Sequence, residues 1–224
     1  MSGELGSHQE DVVTQALENS YKGNIIKHND ISNAMNQSML PMFLTLSSYV
    51  GAMIGAIQMV GMIRNLTYQI SKRRVFAYIQ CAVAIAAVAS ALVSAFIVYF
   101  TNGLGASELT TIVGHQILNY IVFFNFCAFF IFLFGANGML INLPLLLAQT
   151  IAGGATMTRA LMNPPFEWLS YVSPMYYSNQ GLFADIFGNI SSLPFIGIEL
   201  GIGVVVLLLN YGLYKYLPRH RVHT

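Results

Sequence analysis

Two ionisable side chains fall inside apolar runs of this chain: His115, with Gln116 and Asn119 beside it, and Glu199. Burying such a group unpaired is expensive, so each is a candidate for handling a proton, an ion or a polar ligand. Two arrangements are open. Either both side chains face a bundle interior at similar depth and pair, or both sit at headgroup level and are hydrated. Asn125, Asn142 and Gln149 are further polar groups that line a path or bond to neighbouring helices. No nucleophile elbow, HExxH, Walker phosphate loop or paired-carboxylate pattern is present. The chain is therefore expected not to be an enzyme, with no catalytic residue, cofactor or metal. Cys81 and Cys127 lie in apolar runs without a CxxC neighbour, which reads as two small buried hydrophobes.

Composition says what must hold these residues. Of the 224 residues, 55% are hydrophobic and 8% are charged. Soluble domains carry about 25% charged residues, and a chain this poor in charge does not cover its own surface in water. The net charge of +1 excludes nucleic acid as a partner, because a phosphate-binding face needs clustered Lys and Arg. The solvent is a lipid bilayer.

A transmembrane helix takes about 20 mostly apolar residues. Five candidate runs meet or approach this: Leu40 to Ile63, Val75 to Phe100, Ile112 to Phe134, Met139 to Ile151, and Leu193 to Tyr214. The fourth is short, contains Pro144, and has a length that also fits a re-entrant segment. The expected fold is an all-α membrane protein of about five transmembrane helices.

With five spans the connections alternate sides. Arg64, Lys72, Arg73, Arg74, Lys215, Arg219 and Arg221 fall on one side, seven of the ten basic residues and no acid. The other side holds Lys22, Lys27 and Arg159 with eight of the nine acids. The positive-inside rule makes the first set cytoplasmic. Residues 1–39 are then extracellular, 40–218 form the membrane domain and 219–224 are a cytoplasmic tail. Val12, Val13, Ala16 and Leu17 give a short apolar stripe in the first of these, which has no signal-peptide pattern. Arg64, Lys72, Arg73 and Arg74 are candidates for anionic-lipid contact or for docking a cytoplasmic protein.

The stretch from Thr156 to Ser192 is too broken by proline to span and too apolar for a free loop. Pro164, Pro165 and Trp168 are followed by Ser173-Pro174-Met175-Tyr176-Tyr177. Trp and Tyr favour the membrane interface. Two short helices dipping into the outer leaflet are expected, a re-entrant or interfacial segment before the last span. Gly51/Gly55 and Gly197/Gly201 have the spacing that lets helices approach closely, within the bundle or across a dimer.

The order of these features resembles a known family. The run Leu40-Pro41-Met42-Phe43, continued by Leu46-Ser47-Ser48-Tyr49-Val50-Gly51-Ala52, is similar to the start of the second span in YhgE/Pip-type proteins. These are bacterial membrane proteins related to the permeases of type 2 ABC exporters. The basic Ser71-Lys72-Arg73-Arg74 and the patch from Pro164 to Tyr177 fit the same pattern. The resemblance covers roughly residues 38–218 and makes 40–218 permease-like. It implies six spans with an extracellular domain after the first. This chain would supply the last five, with the first on a separate or missing segment.

That family would use a separate cytoplasmic ATPase, docked near Arg64–Arg74, the Gly135–Gly138 turn or the C-terminal tail. A second permease copy or a partner permease would complete it. The implied function is outward movement of an amphipathic or hydrophobic compound. The alternatives are a non-transporting surface scaffold or phage receptor of the YhgE/Pip type, and an ion- or proton-coupled carrier using His115 and Glu199.

Overall fold

The computed structural model describes residues 35–66, 71–102, 105–187 and 190–216. Seven α-helices and no strands are found among them. They are α1 Met35–Leu66, α2 Lys72–Asn102, α3 Ala106–Phe134, α4 Gly138–Ala152, α5 Pro164–Val172, α6 Pro174–Phe187 and α7 Leu193–Tyr216. Short 3-10 turns at Gly135–Asn137 and Arg159–Leu161 join α3 to α4 and precede α5. The apolar stripe at Val12–Leu17 and the tail 219–224 lie outside the described residues.

Four helices are long and apolar enough to cross a membrane, over Met39–Met59, Lys72–Phe100, Glu108–Phe134 and Leu193–Lys215. The fourth apolar run is instead the 15-residue α4. At 1.5 Å per residue that is about 22 Å, short of the roughly 30 Å hydrocarbon core. The basic run Lys72-Arg73-Arg74 forms the first turn of α2 rather than a loop.

Helix α3 is the hub, with α1, α2 and α7 packed around it and α4 and α6 also in contact. The α3–α4 bend depends on a close approach: a Cβ at Gly138 would overlap the Phe130 carbonyl. Gly51 and Gly55 of α1 lie against Tyr120 and Phe124 of α3. A Cβ at Gly197 or Gly201 of α7 would point into open space, with nothing within 4 Å. Tyr49 packs on Phe123 at 5.2 Å, and Phe76 packs on Tyr211 and Tyr214 at 5.5 and 6.0 Å.

Helix α2 buries one stripe (Val75, Ile79, Val83, Ala87, Ala91) and exposes Ile85, Leu92 and Phe96. Exposed apolar side chains are the expected surface where the solvent is lipid. Cys81 lies on that outer face and is exposed, a correction to its expected burial, whereas Cys127 is buried. Helical periodicity turned residue 81 away from the stripe.

Pro41 and Pro144 lie inside α1 and α4, but the prolines between residues 164 and 174 act as helix starts. Pro164 and Pro165 occupy the first positions of α5, where a missing N–H costs nothing. Pro174 forces Ser173 into an extended conformation, ending α5 and opening α6. The two short helices expected from the sequence are present at these breaks.

Candidate functional site

The first half of α3 carries His115, Gln116 and Asn119, and all three are buried. His115 points towards α6 and α7. Its Nδ1 is 2.8 Å from Asp185 Oδ2 on α6, and its Nε2 is 3.4 Å from Glu199 Oε2 on α7. The second contact has ion-pair distance without hydrogen-bond alignment. Glu199 is fully buried. The hydrated arrangement is thus not the one found. The α6 backbone reaches the ring because residue 181 is glycine; a Cβ there would overlap His115 Cε1.

Gln116 and Asn119 continue this cluster towards α1. Gln116 Nε2 donates to the Leu44 carbonyl at 3.2 Å, and Ser48 Oγ donates to Gln116 Oε1 at 2.9 Å. One end of the Asn119 amide lies 3.2 Å from Gln116 Oε1, and the other lies 2.7 Å from Glu199 Oε1 and 3.2 Å from the His115 carbonyl, where the amide nitrogen is the end that can donate. Ser178 Oγ of α6 touches the same amide and sits 3.1 Å from Thr45 Oγ1 of α1. Four helices therefore meet in one polar joint, and a buried charge in it is tolerable only because partners surround it.

Asn125 is not part of this joint. It lies ten residues further along α3, about 15 Å at 1.5 Å per residue. It forms a neutral knot instead. Its Oδ1 accepts from Gln80 Nε2 at 3.0 Å, and its carbonyl accepts from Asn210 Nδ2 at 2.7 Å. Asn142 and Gln149 also bond to neighbours, Asn142 Nδ2 to the Cys127 carbonyl at 3.1 Å and Gln149 Oε1 to Ser173 Oγ at 3.0 Å.

The α5–α6 segment is held by Arg159. Its guanidinium lies 4.2 Å from the centroid of the Tyr171 ring and 3.9 Å from that of Tyr176. Its Nε donates to Ser170 Oγ at 2.8 Å. Tyr177 is buried and donates to the Tyr171 carbonyl at 2.9 Å, while Trp168 is exposed. Asn179 and Gln180 donate to the Gly153 and Gly154 carbonyls and fasten α6 to the end of α4.

At the opposite end, Lys72 Nζ donates to the Lys215 carbonyl at 3.3 Å, linking the start of α2 to the end of α7. Arg73 and Arg74 are exposed. Arg64 is in the last turn of α1 and its side chain lies outside the described residues, as do residues 67–70. The basic candidates and the His115 joint therefore do not form one site.

Sequence reading missed Asp185, Ser178 and Gly181. The signal available for Asp185 was its position, four residues after Gly181 and so on the same face of α6.

A family model described as ABC-2 type transporter matches residues 13–187 of the chain. No curated protein matches it.

Proposed function

The chain belongs to the ABC-2 type transporter family, and from that premise we propose that it is the permease of an exporter that moves an amphipathic or hydrophobic compound outward. As a family member it is a multi-pass membrane permease subunit, a transporter domain rather than a catalyst, working with an ATPase. The finer assignments are ours: the YhgE/Pip type, a bacterial cell membrane, and a second permease copy or partner permease. The N-terminus is assigned outside and the C-terminus to the cytoplasm, which puts Arg64, Lys72, Arg73 and Arg74 on the side where a separate ATPase docks.

The family match carries this reading. The charge segregation between the two ends supports the orientation, because short basic segments remain cytoplasmic. The joint of His115, Asp185 and Glu199 supports a role for α6 as a part that moves with the spans. It ties α6 to α3 and α7, so a displacement of either span is transmitted to the segment before the last helix.

The test is affinity purification of the tagged chain in mild detergent with identification of what accompanies it. A stoichiometric ATPase is expected, lost when Lys72, Arg73 and Arg74 are all changed to Ala while the chain's elution profile is unchanged. Recovery of the chain alone, or only with cell-surface proteins, overturns the exporter reading and favours the scaffold.

A further inference from the structure

We propose that Arg159 binds the phosphate of a bilayer phospholipid, whose acyl chains lie on the outward stripe of α5.

The guanidinium is fixed before any lipid arrives. It lies against the rings of Tyr171 and Tyr176, with centroids at 4.2 and 3.9 Å. Its Nε donates to Ser170 Oγ at 2.8 Å, and its Nη2 donates to the Ser170 carbonyl at 3.2 Å. Arginine carries five N–H donors in a planar fork. Ser170 occupies the Nε–Nη2 edge, so the Nη1–Nη2 edge keeps its donors. Two parallel N–H groups on one edge match two oxygens of one phosphate.

The charge has no acid to balance it. Among the described residues no carboxylate pairs with Arg159. Glu167 of the same segment accepts instead from the Tyr171 hydroxyl at 3.5 Å. A cation held in a membrane without an acid draws its anion from elsewhere.

Two features say which anion. Pro165, Trp168 and Val172 fall at i, i+3 and i+7 of α5 and are exposed, as is Leu161 just before the helix. Ser170, on the opposite side, is buried. The outward stripe is apolar and uncharged, which suits acyl chains, and Trp favours headgroup level. A soluble anion would meet the guanidinium but leave that stripe bare.

Depth is the second feature. Arg159 bonds Ser170, and Ser173 Oγ donates to Gln149, three residues before the end of α4. The guanidinium therefore lies near the end of α4, a helix of about 22 Å beside a hydrocarbon core of roughly 30 Å. Membranes accommodate a charge at such depth by thinning locally. A phosphate drawn to Arg159 supplies the counter-charge and brings the headgroups to the end of the short helix.

Photo-cross-linking of the purified full chain in mild detergent tests this. The probe is phosphatidylglycerol with a photoreactive headgroup, below saturation, and labelled peptides are mapped by mass spectrometry. The control is a diacylglycerol with the same chains and photoreactive group but no phosphate. No ATPase takes part, so the outcome is independent of the exporter reading. The phospholipid is expected to label residues 156–177, and the diacylglycerol is not. Arg159→Gln should lower that labelling about tenfold, as losing charged hydrogen bonds does. Labelling at the start of α2, around Lys72, should stay unchanged as the internal standard. Unchanged labelling of 156–177 in Arg159→Gln overturns the proposal, as does equal labelling by the diacylglycerol. Suppression by inorganic phosphate also overturns it, in favour of a soluble anion. If Arg159→Gln does not fold, Arg159→Lys decides, because it keeps the charge and loses the fork. A several-fold loss is then expected, and no loss overturns the proposal.

Discussion

The two polar knots on α3 differ in kind. Around Asn125 the partners are amides and a backbone carbonyl, with no ionisable group. Around His115, two carboxylates converge on one imidazole. Each amide-knot bond contributes modestly, on average about 0.6 kcal/mol within a membrane. The His115 joint is all-or-nothing, because removing one member leaves another charged or unpaired where water does not reach. The first knot glues helices, and the second fixes where α6 sits.

Substitutions should separate the two. Asp185→Ala leaves the imidazole without its bonded partner and should cost roughly 3–5 kcal/mol, the range for breaking a buried ion pair. Thermal unfolding in detergent measures this, and a loss as small as that for an amide-knot variant would erase the distinction. Gly181→Val forces a side chain into the His115 ring and should cost about 1–3 kcal/mol by overpacking. The cost of Gly181→Val should disappear when it is measured in a His115→Ala background, which would locate the clash, and an undiminished cost there would place the strain elsewhere. The smallest effect belongs to Asn210→Leu, at about 0.6 kcal/mol and no more than about 1.7. A larger loss in the same assay would show that the amide knot carries more than glue.

Much of this was legible in the residues. Apolar length gave the four long spans, and Pro164 and Pro174 marked the helix starts because a fixed φ and a missing N–H act locally. His115 and Glu199 stood out because ionisable groups are rare among apolar residues. Asp185 did not stand out, since it lies in a semi-polar stretch where an acid looks like any exposed acid. Only the return of α6 onto α3 makes it a partner. Gly181 was hidden among 19 glycines. The Gly197/Gly201 spacing was visible, but which way it faces depends on the rotation of α7, set by contacts such as Asn210 with Asn125. Cys81 was misplaced for a related reason: a helix apolar on all sides does not announce its inner face.

The shortness of α4 has a mechanical consequence. Beside α3, with 29 residues, stands a helix of 15, so a bilayer meeting the outer face of α4 is about 8 Å thicker than the helix is long. Lipids there must compress, or protein must fill the gap. Bilayer deformation costs fractions of a kcal/mol per Å of mismatch. Leu140, Leu143, Leu147 and Ile151 form that outer face, and the same helix turns Asn142 and Gln149 inward. The elastic dent in the membrane and the polar interior of the bundle therefore lie on opposite sides of one thin wall.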